Sequence, residues 1–103
     1  MFKLQPKPTF KARVPITVPG ETKPAEIEVE FKHMSLEQVR AFFEGLVGKQ
    51  DADALGEIVV GWSGVDAAFD AEALATLLNN YPSTAAAMFE TFRRELFEAR
   101  RKN

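Results

Sequence analysis

The sequence predicts an α+β fold, with an N-terminal β-hairpin followed by about four α-helices packed as one small domain. Apolar and polar residues alternate between Phe10 and Phe31, as they do in half-buried strands. From Ser35 onward, apolar residues recur every three to four positions, as they do in helices. The length of 103 residues suits one domain. We expect residues 1–8, which contain two prolines and two lysines, to be a flexible lead-in, and residues 9–103 to form the domain.

Two alternating runs joined by turn-forming residues predict the hairpin. The turn begins at Pro19-Gly20, and Pro15 falls on the outward face of the first run. Because proline donates no backbone hydrogen bond, the first strand should lie at a sheet edge or carry a bulge. Lys11 and Arg13 are positioned to pair across the hairpin with a row of glutamates. The inward face comprises Phe10, Ala12, Val14, Ile16 and Val18 in the first run, and Ile27, Val29 and Phe31 in the second.

Capping residues place the start of the first helix and separate it from the second. Ser35 and Gln38 have the spacing of a capping box, and the helical pattern continues towards a stop at Gly48. A second helix is predicted to begin near Asp51 or Asp53 and to end in a tight corner at Gly61–Gly64. Its apolar residues have helical offsets of 0, 3, 4 and 7, namely Leu55, Ile58, Val59 and Trp62.

Two further helices follow. Asp70 is the expected N-cap of the third helix, and Pro82 ends it. Ser83 or Thr84 is expected to cap the last helix. The apolar stripe of this last helix contains Ala85, Met88, Phe89, Phe92, Leu96 and Ala99.

Composition argues against an enzyme, a metal site and a cofactor site. The chain has no cysteine and a single histidine, so thiolate chemistry and multi-histidine zinc sites are excluded. His33 lies at the junction between strand and helix, without a nucleophile motif beside it. Asp51-Ala52-Asp53 lacks the later oxygen ligands of a calcium loop. No apolar run reaches the roughly 18 residues of a membrane span, and we expect a non-catalytic, cytoplasmic protein.

The near-neutral formal net charge of −2 conceals a segregation of charge along the chain. Residues 1–34 carry a net charge of +2, residues 35–92 carry −7, and residues 93–103 carry +3. The basic end has two interpretations: the cations complement the dipole of the last helix, or they support head-to-tail self-association or binding of an acidic partner.

The last helix also raises nucleic-acid binding as the alternative function. Its cations are positioned to contact phosphates, and Phe97 lies off the apolar stripe, where it is available for stacking. Glu95 and Glu98 interrupt the basic run, and the middle of the chain is acidic, which argues against this alternative. The cations concerned are Arg93, Arg94, Arg100, Arg101 and Lys102.

The glycine-rich corner around Trp62 is the candidate partner-binding region. Trp62, Val65 and Phe69 crowd into a segment too short to bury them by itself. One interpretation is that Trp62 anchors packing between helices. The other is an exposed apolar patch for a protein partner, shared with the basic end of the last helix. The candidate residues are Trp62, Val65, Phe69, Arg93, Phe97, Arg100 and Arg101.

Several motifs occur in a fixed order across the chain. The Pro19-Gly20 turn, Phe31-Lys32 and a capped helix come first; then follow Gly61-Trp62-Ser63-Gly64-Val65-Asp66, Phe69, Leu74, Leu77-Leu78, Tyr81-Pro82 and an arginine-rich last helix. This arrangement resembles the tail assembly chaperones of long-tailed bacteriophages. The likeness covers nearly the whole chain, and its most specific part lies between Trp62 and Tyr81.

The resemblance implies a small assembly factor of the bacterial host cytoplasm that is absent from the mature virion. Such proteins bind the tape-measure protein, help recruit tail-tube subunits, and have no catalytic motif. An adaptor with an apolar patch and charged rims suits a long helical partner with apolar stripes. Opposite charges at its two ends would let copies stack along that partner, with many weak contacts acting together.

Overall fold

The structure, a computed structural model, describes residues 1–98 and has an α+β architecture. Within these residues, three strands form one antiparallel sheet in the order β1-β2-β3, and four helices accompany it. The strands are β1 (Thr9–Ile16), β2 (Ala25–Lys32) and β3 (Val59–Ser63). The helices are α1 (Leu36–Glu44), α2 (Asp51–Gly56), α3 (Ala71–Asn80) and α4 (Thr84–Phe97).

The predicted hairpin is confirmed, with the alternation that the sequence shows. Phe10 of β1 pairs with Phe31 of β2, and Val14 pairs with Ile27, so these apolar residues share one face. Pro15 is exposed on β1, which is an edge strand as predicted. On the other face, Lys11 lies opposite Glu30, and Arg13 lies opposite Glu28.

The predicted second helix is too long, and its C-terminal part is a third strand. α2 ends at Gly56, and Val59–Ser63 pairs with β2 as β3. Val29 lies opposite Trp62, which places Trp62 on the apolar face of the sheet. The register shifts by one residue, because Glu30 faces Gly61 while Phe31 faces Val59, which leaves Val60 as the bulged residue. The two β-branched valines, Val59 and Val60, favour this strand.

The helix ends follow local capping chemistry. The capping box of α1 is confirmed, because Ser35 Oγ accepts from the Gln38 amide and Gln38 Oε1 accepts from the Ser35 amide. α1 ends earlier than predicted, with Gly45 and not Gly48 as its C-cap. The Asp70 cap of α3 is confirmed by a 2.7 Å hydrogen bond from the Ala73 amide to Oδ1. Ser83 is the N-cap of α4, but its side chain makes no capping hydrogen bond.

Aromatic side chains join the sheet to α1 and α4. Phe92 of α4 is fully buried, and its ring lies 5.6 Å from that of Phe31 and 6.2 Å from that of Phe10. The same ring lies 5.9 Å from that of Phe42 and 6.3 Å from that of Phe43, both on α1. These aromatic rings form the part of the core where the hairpin, α1 and α4 meet, and Leu55, Val59 and Leu74 extend the core to α2, β3 and α3.

None of the helices within residues 1–98 is both long enough and apolar enough to cross a membrane.

Candidate partner-binding surfaces

The corner after β3 is built around the side chain of Trp62. Its indole Nε1–H donates a 2.8 Å hydrogen bond to the Ala67 carbonyl, which folds the following loop back against the strand. Gly64 has a φ of +87°, a conformation that glycine adopts without strain, and it supplies the turn. Phe69 packs edge-on against Trp62, with ring centroids 5.1 Å apart.

The three apolar candidates of this corner share one environment. Trp62, Val65 and Phe69 each pack against the core and are partly buried. Trp62 is therefore a packing residue that also keeps part of its surface in solvent. An apolar side chain of this kind suits a contact with a partner, because the protein already fixes its orientation.

The second predicted patch lies on α4, the helix that carries Phe92. Phe97 is 52% exposed at the end of α4, and Arg93 lies one turn before it, on the same side of the helix. The Arg93 guanidinium lies 3.1 Å from Glu98 Oε2, and Arg94 lies 3.5 Å from Glu90 Oε1. Since all four groups are solvent-exposed, each ion pair is worth only about 0.2–1 kcal/mol.

The predicted patch is thus distributed over two places in the fold. Trp62, Val65 and Phe69 lie next to β3, whereas Arg93 and Phe97 lie on α4, whose Phe92 ring contacts the hairpin. In the described part of the helix, Arg93 and Arg94 each already pair with a carboxylate, which weakens the case for phosphate binding. The remaining predicted residues of this end lie outside the described residues, namely Ala99, Arg100, Arg101 and Lys102.

Of the other polar groups in the two strands and their junction with α1, His33 is exposed and Glu30 is half-buried. The His33 backbone amide donates a 2.9 Å hydrogen bond to the Pro8 carbonyl. Glu30 Oε2 accepts a 2.6 Å hydrogen bond from Thr9 Oγ1. Among residues 1–98, no group of three or more His, Cys, Asp or Glu side chains is arranged to hold a metal ion.

Sequence reasoning missed two features of the surface. One is the outer edge of β3, which the helical interpretation of Val59–Trp62 concealed. The other is the exposure of the apolar side chains in the lead-in: Phe2 is 91% exposed and Leu4 is 89% exposed. The alternation of Phe2 and Leu4 with Lys3 and Gln5 is a signal that could have marked this segment as a potential strand.

A family model described as phage tail assembly chaperone matches residues 1–103, the whole chain. The fold and surfaces described above thus belong to an assembly factor, and the chain is a member of the phage tail assembly chaperone family. Searches of curated proteins and of solved structures gave no match to the chain.

Proposed function

We propose that this chain is a non-catalytic chaperone that binds the tape-measure protein and helps recruit tail-tube subunits in the host cytoplasm. Membership of the family supports a role in tail assembly. The observation that carries the finer proposal is Phe97, a half-exposed aromatic side chain one turn after Arg93 on α4. Aromatic and arginine side chains are enriched where protein interfaces gain most of their binding energy.

A helical partner suits this surface. An apolar stripe on a tape-measure helix would cover Phe97, while polar groups beside the stripe would meet Arg93 and the acidic residues of α4. Such binding would keep a long apolar chain soluble before the tail assembles. The Trp62 corner supplies a second apolar contact, so one subunit would engage its partner at two places.

Co-expression with the tape-measure protein tests the proposal. The wild-type chain should keep the tape-measure protein in the soluble fraction, and a pull-down should recover both proteins together with the tail-tube protein. Phe97→Ser should reduce the co-purified tape-measure protein at least tenfold, because it removes a central aromatic contact. Val47→Ser is the matched control, since Val47 is 93% exposed and lies outside α4.

The result that would contradict the proposal is a tape-measure protein whose solubility does not change when the chain is present. If Phe97→Ser and Val47→Ser reduced the co-purified tape-measure protein equally, Phe97 would not be a specific contact and α4 would not be assigned to the interface. Trp62→Ala tests the other contact: binding lost without a change in the melting temperature supports an interface role, and a large drop in melting temperature supports a packing role alone.

A further inference from the structure

The outer edge of β3 is an unpaired strand edge. In the part of the chain that the structure describes, β3 pairs only with β2. Within the same residues, no backbone–backbone hydrogen bond joins Gly61, Trp62 or Ser63 to a segment on the outer side. Unpaired edges of this kind bind extended peptides by adding a strand to the sheet.

Two carboxylates lie on the neighbouring strand β2, on the polar face of the sheet. Glu28 is paired with Ser63, and Glu30 is paired with Gly61. A Cβ atom at Gly61 would lie 3.9 Å from Glu30 Oε1, so the carboxylate stands beside a residue that has no side chain. A cation on a strand added beyond β3 would therefore reach the carboxylates across small residues. The depression at this place is lined by Lys11, Glu28, Glu30, Gly61, Trp62 and Ser63.

The opposite face of the same edge is apolar. Trp62 lies on this face and is partly buried, with Phe69 packed against it. A strand that pairs with β3 would place alternate side chains beside Trp62 and the others on the polar face, beside Glu28 and Glu30. The edge thus selects a peptide in which apolar residues alternate with a basic residue.

Residues 1–5 of this chain have that pattern. Phe2 and Leu4 are among the most exposed large apolar side chains of the described residues, and Lys3 lies between them. Residues 1–8 contain no acidic residue. Pro6 marks the C-terminal limit of the segment that can pair, because proline donates no backbone hydrogen bond to a neighbouring strand.

We propose that residues 1–5 of one copy pair with the outer edge of β3 of a second copy. Phe2 and Leu4 then lie beside Trp62, and Lys3 faces Glu28 and Glu30. The donor segment precedes β1, at the edge of the sheet opposite to β3. Because donor and acceptor are different surfaces, the contact is heterologous and joins copies head to tail, in a closed ring or an open array. This association requires no tail protein, so it stands independently of the proposed function.

Sedimentation of the purified full-length chain, without an N-terminal tag, tests this contact. The wild-type chain should associate further as its concentration rises, with a Kd between about 1 µM and 1 mM, which corresponds to about −8 to −4 kcal/mol. The Phe2→Ser/Leu4→Ser variant should weaken association at least tenfold, since it removes the two apolar side chains that the contact would bury. Val47→Ser changes an equally exposed apolar residue elsewhere and should leave association unchanged.

A charge exchange tests the register. Lys3→Glu and Glu28→Lys should each weaken association about threefold or more, because each places like charges together. An equimolar mixture of the two variants should regain wild-type association, since the N-terminal segment of each variant then meets an opposite charge beside β3 of the other variant. Recovery in the mixture identifies an intermolecular contact, and circular dichroism of each variant verifies that it is folded.

Three results would overturn the proposal. One is a wild-type chain that stays monomeric up to about 1 mM, the upper limit of the expected Kd. Another is association that the Phe2→Ser/Leu4→Ser variant retains or that Val47→Ser loses to the same extent. The third is association abolished by neutralising Arg100, Arg101 and Lys102 while Phe2→Ser/Leu4→Ser has no effect, which would assign it to charged chain ends instead.

Discussion

Phe92 of α4 links the hairpin and α1 through one side chain. Its ring contacts Phe10 and Phe31 on the hairpin and Phe42 and Phe43 on α1. Aromatic pairs at these separations stabilise a fold beyond the area that they bury. A substitution at this residue would therefore affect the attachment of both α1 and α4 to the sheet.

Thr91, the residue before it, is a buried polar side chain. Its Oγ1 is buried and has no hydrogen-bond partner among residues 1–98. Thr91→Val keeps the shape and removes the unpaired hydroxyl, so we expect the free energy of unfolding to rise by about 1 kcal/mol. Urea unfolding at low protein concentration measures the change. Thr76→Val in α3, at an exposed position, should change stability by less than about 0.5 kcal/mol.

A decrease in the stability of Thr91→Val would show that the hydroxyl is hydrogen-bonded in solution. Thr84 allows the same test at a second position, because its Oγ1 is also buried without a partner among the described residues. Thr84→Val should therefore also raise the free energy of unfolding.

At the scale of the elements, two serines occupy the same type of position with different bonding. Ser35 begins α1 with a reciprocal capping box, whereas Ser83 precedes α4 without a side-chain hydrogen bond. The difference follows from the backbone: Ser35 is extended, with ψ at 166°, and Ser83 is helical, with ψ at −10°. An N-cap side chain reaches the free amides only from the extended conformation.

We expect Ser35→Ala to lower the free energy of unfolding by about 1 kcal/mol, because it leaves an amide of the first turn without its partner. Ser83→Ala should have an effect of less than about 0.5 kcal/mol. Chemical denaturation of both variants under one set of conditions gives the comparison. Equal losses would mean that the Ser83 hydroxyl caps α4 in solution.

The hairpin and the starts of all four helices among the described residues were predictable from the sequence, since alternation, helical spacing and capping residues are local signals. Val59 and Trp62 were assigned to a helix because a short apolar run fits both periods. These residues form a strand because they pair with the free edge of β2, and β2 lies far away in the sequence. In the candidate site, the exposure of Phe97 could be predicted, because this residue lies off the apolar stripe of the last helix. The β3 edge could not be predicted without β3.

The whole molecule has two regions with different roles in stability. The described domain begins where the His33 amide bonds to the Pro8 carbonyl, while residues 1–8 are exposed. Exposed segments add little to the free energy of folding. Deleting the lead-in therefore tests the expected boundary between residues 1–8 and the domain.

Deleting residues 2–7 should change the free energy of unfolding by less than about 0.5 kcal/mol, since the Pro8 carbonyl and β1 stay in place. The shortened chain should still unfold in one cooperative transition in calorimetry at low concentration. A loss of several kcal/mol, or a second transition, would contradict the single-domain boundary at residue 9.

The position of β3 in the chain has a consequence for synthesis on the ribosome. β1 and β2 are made together, but β2 receives its second neighbour only after α1 and α2 have emerged. During this interval, which is set by the rate of synthesis, one side of the hairpin is open to pairing with other nascent chains. Glu26, Glu28 and Glu30 place a row of like charges along β2. Mutual repulsion between these rows would keep nascent hairpins apart until β3 arrives.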